Sequence, residues 1–163
     1  MAMTVKRSNE IDLSHLLLDQ LSSLYLNAND SDIVFIIEGE RIYAHKFVLI
    51  LRCQYFRLMF SSGLKESIEK EIQLNETPLS AFKNVLNYIY TGRVKLNDKK
   101  IEDIVEILCL GHCYELEDLV SHLVSYIESS VSAENIYEVY YIAHLYGFKS
   151  LIDVCYNYLL SRG

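Results

Sequence analysis

Tryptophan is absent from the 163 residues, proline occurs once, and glycine occurs six times. So few chain breakers exclude a collagen-like or linker-rich polypeptide. Cysteine is scarce at four, and no secretory signal is legible, because Met1 to Asn9 is polar and the leucines that follow alternate with Asp, Ser, His and Gln. A disulfide framework is therefore not expected, and the chain reads as intracellular: cytoplasmic, with the nucleus open to it. No run approaches the roughly 18 uninterrupted apolar residues that cross a bilayer, so no membrane partner is expected. Basic residues are also in the minority, with 15 Lys+Arg against 22 Asp+Glu and a net charge of −7. The only basic pairs, Lys6-Arg7 and Lys99-Lys100, read as solvated terminus and loop, which excludes broad binding to a nucleic-acid backbone.

Catalytic signatures are missing as well. Neither G-x-G-x-x-G nor G-x-x-x-x-G-K-[ST] occurs, and there is no G-x-S-x-G elbow or H-E-x-x-H pair. Cys109, His112 and Cys113 share a helix face at i, i+3 and i+4, but no second ligand pair faces them. They read as two small core cysteines and a helix-end histidine. Cys53 beside Arg52, with His45 as a base, is the one candidate nucleophile, yet its apolar-rich setting favours an inert buried thiol. No metal, cofactor or enzymatic activity is expected.

What is present is core-forming sequence: 51% of the residues are apolar and 23% charged. That composition excludes intrinsic disorder and suits one compact domain of roughly 100–150 residues with a small appendage. Residues Asp12 to Leu26 place Leu13, Leu17, Leu21 and Leu24 on one helical stripe, widened by Leu16. Such a helix must dock on the domain behind it or on another chain. Ile33-Val34-Phe35-Ile36-Ile37 reads as a buried strand, Glu38-Gly39-Glu40 as a tight turn, Arg41 to Ala44 as the returning strand, and Lys70 to Leu74 as a third strand. Between them, Lys46 to Phe60 reads as two short helices split near Arg52-Cys53. A further helix, capped by Thr77 with Pro78 in its first position, carries Phe82, Val85, Leu86 and Ile89 to Gly92.

Four more helices complete the chain, the third capped by Ser132 and ended by Gly147, the fourth opened by Ser150. Glu102-Asp103 and Glu117-Asp118 sit at helix starts, where they favour the helix dipole. At an offset of 32 residues, His112-Cys113-Tyr114-Glu115-Leu116 aligns with His144-Leu145-Tyr146-Gly147-Phe148, and Leu119, Tyr126 and Ile127 with Leu151, Tyr158 and Leu159. Two stacked helical hairpins follow. A solenoid does not, since solenoids need three or more copies and the first half contains strands.

The order of these elements is specific. A leucine helix precedes Asp32-Ile33, a strand pair and Ala44-His45-Lys46 with Leu49. Tyr55-Phe56, Met59-Phe60, Glu66 and Tyr88-Ile89-Tyr90-Thr91-Gly92 follow. The chain resembles a BTB/POZ domain over residues 12–130, and residues 131–163 resemble the opening helix pair of a BACK domain. The resemblance implies an α+β fold: a small β-sheet packed with helical hairpins, followed by a short all-α helix pair. It implies a homodimerising interaction module with Leu13, Leu17, Leu21 and Leu24 at the dimer interface and Asp32 and Lys46 as a charged pair beside it. Equally, Asp32 and Lys46 can be ordinary strand-end and helix-start charges. Many members bind the cullin-3 N-terminal domain and deliver a protein substrate to a ubiquitin ligase. Leu64-Lys65-Glu66 matches the family's hydrophobic-x-Glu element, and Tyr90 matches an aromatic on the cullin-facing helix. Two departures are Ile50-Leu51, in place of a small-residue pair, and Gly111, where alanine is usual. A BTB dimerisation scaffold or transcription-linked protein that does not bind cullin is the alternative.

Overall fold

The computed structural model describes residues 11–63 and 68–162. Helix α1 (Ser14–Ser22) leads into β1 (Ile33–Ile37) and β2 (Glu40–Ala44), then α2 (Lys46–Arg52), α3 (Gln54–Ser61) and β3 (Glu71–Gln73). The rest is helical: α4 (Leu79–Thr91), α5 (Ile101–Cys113), α6 (Glu117–Glu128), α7 (Ile136–Tyr146) and α8 (Lys149–Leu160).

The sheet has the order β2-β1-β3. β1 runs antiparallel to β2, with Ile33 opposite Ala44, and parallel to β3, with Phe35 opposite Ile72. The two-residue turn Glu38-Gly39 joins the hairpin with both residues at positive φ, the conformation that matches strand twist. Side chains alternate across a strand, so Ile33, Phe35, Ile37, Ile42, Ala44 and Ile72 form the inner face. β1 is thus buried on one face only, not on both as its apolar run suggests. Val34 and Ile36 are half-buried on the outer face, where Arg41 pairs with Glu71. That ion pair holds the Glu71 carboxyl below the usual carboxylate range.

Cys53 breaks α2 from α3 by adopting an extended backbone, at the predicted place. α4 supplies the centre of the core with Ala81, Phe82, Val85, Leu86, Ile89 and Tyr90, and Gly92 ends it at φ +69°. Phe35 packs on Phe82 at 5.1 Å and on Phe56 at 5.6 Å, and Phe56 on Tyr114 at 5.1 Å. These rings tie the sheet to α3, α4 and the end of α5.

Three expected caps are replaced. Thr77 does not cap α4: Pro78 takes the N-cap position, and the Leu79 N–H goes to the Glu38 carboxylate of the β-turn at 3.2 Å. Ser132 does not cap α7 with its side chain; Asn135 is the N-cap residue, and its amide oxygen accepts the Ser132 N–H at 2.9 Å. Ser150 lies inside α8, which starts at Lys149.

The 32-residue similarity is structural as well as sequential. α5–α6 and α7–α8 are both helical hairpins, and both first helices end in the same turn. Leu116 N–H bonds Gly111 O at 3.0 Å, and Phe148 N–H bonds Ala143 O at 2.8 Å. Each turn carries one left-handed residue, Glu115 at φ +57° and Gly147 at φ +73°, as this helix end requires.

Candidate protein-interaction surface

The expected α1 stripe divides. Leu21 and Leu24 pack against the domain's own core, helped by Tyr25, whose hydroxyl donates to the Lys83 carbonyl of α4 at 2.8 Å. Leu13 and Leu17 point away from it, with Leu17 at 59% exposure, and Leu16 and Leu18 are exposed beside them. Leu18 and Leu21 also line an apolar cleft of about 170 Å³ with Val48, Leu51, Ile89 and Tyr90. On α2, Phe47 (72% exposed) and Leu51 stand one turn apart on a single face. Six large apolar side chains of α1 and α2 are therefore left uncovered on adjoining elements. Phe47 was not singled out from sequence, and Leu51 only as part of the Ile50-Leu51 departure, although their i, i+4 spacing opposite the buried Val48-Leu49 pair signals a second apolar face.

Asp32 and Lys46 do meet, through the backbone. The Asp32 carboxylate accepts the Lys46 N–H at 2.7 Å, satisfying the first turn of α2, whose N-cap residue His45 offers no side-chain bond of its own. The Lys46 ammonium lies 5.1 Å from the centre of the Phe60 ring, within cation–π reach.

The structure places Tyr90 in the core. It is 3% exposed, so in the folded monomer it presents no side chain to a partner. Its hydroxyl accepts the His45 backbone N–H and meets His45 Nδ1, each at 2.8 Å. The other ring nitrogen, Nε2, lies 2.8 Å from the Asn29 carbonyl, which can only accept. In the neutral imidazole this pattern puts the proton on Nε2 and leaves Nδ1 to accept from Tyr90. Burial pushes the Tyr90 phenol up to about 12, against the opposing pull of the His45 N–H. This network pins the α1–β1 loop and the start of α2 to α4. Leu64 and Glu66, the other residues of the expected cullin contact, lie outside the described residues.

The candidate reactive groups do not assemble. His45 is engaged as above, while the Cys53 thiol points to the Tyr114 carbonyl at 3.5 Å. Burial pushes that thiol up, away from the reactive thiolate. Among the described residues no group of three His, Cys, Asp or Glu side chains could hold a metal ion. Of the two cysteines on α5, expected in the core, Cys109 is half-buried and Cys113 is exposed. Among the described residues no helix is long and apolar enough to cross a membrane.

Comparison with known proteins matches residues 21–131 to the BTB/POZ domain family. The chain is 35% identical over 147 residues to human BTB/POZ domain-containing protein 9, covering 90% of this chain and 24% of that protein. It is 33% identical over 135 residues to human Kelch repeat and BTB domain-containing protein 2, covering 83% of this chain and 21% of the relative. The chain thus spans under a quarter of the length of these relatives. Among solved structures, the BTB domain of zebrafish PATZ1 superposes with a TM-score of 0.60 at 21% identity, covering 75% of this chain and 99% of that one. The fold, the matched residues and the relatives agree, and the chain belongs to the BTB/POZ family of protein-interaction domains.

Proposed function

We propose that the protein is a homodimerising substrate adaptor for cullin-3 ubiquitin ligases. The observation that carries the reading is the set of uncovered apolar side chains on neighbouring segments, Leu13, Leu16, Leu17 and Leu18 with Phe47 and Leu51, of which Leu18 and Leu51 meet at one cleft. Solvent exposure of so much apolar surface is costly, and a second copy would bury it. The cullin part of the reading rests on family membership and on Leu64-Lys65-Glu66, in which an apolar anchor beside a carboxylate suits an interface. Residues 131–163 would then be the first helix pair of a BACK domain.

Light scattering on the parent and on Leu13→Asp/Leu17→Asp tests the dimer. The parent is expected as a dimer and the variant as a folded monomer, because a buried carboxylate costs several kcal/mol at an apolar interface. Calorimetry against the cullin-3 N-terminal domain tests the adaptor. Binding should weaken by about 1–3 kcal/mol in Glu66→Ala with an unchanged melting temperature. No binding by the parent at tens of micromolar would leave a dimerisation scaffold that does not engage cullin.

A further inference from the structure

β2 is an outer strand of the sheet and pairs with β1 alone. Backbone N–H and carbonyl groups alternate in direction along a strand. On β1 the Val34 N–H bonds the Lys70 carbonyl and the Ile36 carbonyl takes the Leu74 N–H, so Val34 and Ile36 face β3. Ile33, Phe35 and Ile37 therefore face β2, where their partners are Ala44, Ile42 and Glu40. That phase turns the backbone groups of Arg41 and Tyr43 out of the sheet. Among the described residues no hydrogen bond takes either N–H or either carbonyl. Strand edges are commonly guarded by charge, proline or a bulge. β2 has no proline and an unbroken register, and its two charges are occupied within the chain, Glu40 by Lys83 and Arg41 by Glu71. It is also the longer of the two sheet edges, five residues against three in β3.

We propose that this edge pairs antiparallel with β2 of a second copy, about a two-fold axis at Ile42, making one continuous sheet across two copies. In that register Arg41 lies opposite the second copy's Tyr43. Each such pair exchanges both of its N–H···O bonds, so every free group of both edges finds a partner. The Arg41 guanidinium then stands beside the second copy's Tyr43 ring, a pair with no like charges that allows a cation–π contact. Sliding the register either way is worse. One shift sets Arg41 against Arg41 and Tyr43 against Gly39 of the turn. The other sets Tyr43 against Tyr43 and Arg41 against His45, whose N–H already goes to Tyr90. This matching of charge and of hydrogen-bonding groups is what favours a second copy over an unrelated strand. The edge shares no residue with α1, α2 or Leu64-Lys65-Glu66, so the pairing does not rest on the dimer or cullin readings. Where α1 also dimerises, a second two-fold contact would join dimers into larger assemblies.

The test uses Leu13→Asp/Leu17→Asp, in which the α1 contact is removed, beside the parent chain. Sedimentation of that variant should show reversible self-association with a Kd on the order of 1 mM, as suits a small interface, which leaves it monomeric at the tens of micromolar of light scattering. As concentration rises, amide exchange should slow at Arg41 and Tyr43 and stay unchanged at Ile42, already bonded to β1. The same exchange pattern is expected in the parent, so the reading survives if the variant fails to fold. Two substitutions at one position then separate pairing from folding. Tyr43→Arg sets an arginine against the second copy's Arg41 and should remove detectable association. Tyr43→Glu sets a carboxylate there and should preserve or tighten it. Both lose the same ring, so a merely structural role for Tyr43 would shift both alike. No association at about 1 mM, equal weakening by the two substitutions, or protected Arg41 and Tyr43 amides in the dilute chain, as the chain's own residues 1–10 on this edge would give, would overturn the proposal.

Discussion

Leu119 and Leu151 hold equivalent places in the α5–α6 and α7–α8 hairpins, and both are buried. Eight positions further on, Ile127 is fully sealed in the core, whereas Leu159 is 44% exposed. Tyr114 and Tyr146 diverge in the same direction: the first is buried among Tyr55, Phe56 and Phe82, the second half-covered beside His112 and Phe148. The two hairpins share a turn and a spacing, but the first is enclosed by α3 and α4 on one side and the second hairpin on the other. Among the described residues, the second is covered on one face. A repeated sequence pattern thus reports the local geometry of a hairpin, while its stability is set by how many sides are covered.

The sharpest way to break this comparison is to truncate the paired positions. Ile127→Ala should cost about 2–5 kcal/mol and Leu159→Ala under about 1 kcal/mol, measured by urea denaturation. Equal losses would show that the second hairpin is as enclosed as the first.

Alkaline titration tests the same contrast on the tyrosines. A phenol whose folded pKa lies above its unfolded value keeps its proton longer when folded. The stability it contributes is present in full below the unfolded value near 10 and is lost as pH rises through the folded one. Tyr90, at about 12, should therefore withdraw about 2–3 kcal/mol between pH 10 and pH 12. Burial shifts Tyr114 upward more strongly still, and shifts Tyr146 upward only moderately. Phenolate absorbance should thus show Tyr146 ionising in the native state, and Tyr90 and Tyr114 only on unfolding. Native-state ionisation of Tyr114, assigned by its loss in Tyr114→Phe, would contradict its enclosure.

The smallest effects come from the shared turn. Gly147→Ala forces a Cβ into the left-handed region and should destabilise by about 1 kcal/mol. Glu115 already sits in that region, so Glu115→Gly should gain up to about 1 kcal/mol. Gly111, the counterpart of buried Ala143, is helical, and a Cβ there would meet Leu119 at an ordinary 3.4 Å. Gly111→Ala should therefore stabilise by about 0.5–1 kcal/mol, read as a rise in melting temperature.

Local signals were legible and long-range ones were not. The hairpin, the break at Cys53 and the end of α4 at Gly92 each follow from neighbours in the chain, and each was readable. Thr77 was misread as a cap because the group that takes the Leu79 N–H, the Glu38 carboxylate, lies 41 residues earlier. The resemblance matched Tyr90 to an aromatic on the cullin-facing helix, while its spacing from Phe82 and Leu86, at i, i+4 and i+8, already held the burial that the structure shows. Leu16, Leu17 and Leu21 were correctly placed on a helix, but α1 starts after Leu13 and ends before Leu24, and a wheel cannot show that Leu21 docks inward while Leu17 does not. That division depends on where α4 lies.

The position of β1 between β2 and β3 also orders events in time. Val34 faces Tyr43 nine residues on and Glu71 thirty-seven residues on. Closing the longer loop costs about 1.2 kcal/mol more chain entropy than the shorter. The hairpin can therefore form as a local nucleus, whereas β3 must wait for α2 and α3 to carry the chain back. Until then β1 has an open edge, which gives the nascent chain a brief window in which a foreign strand can compete for it.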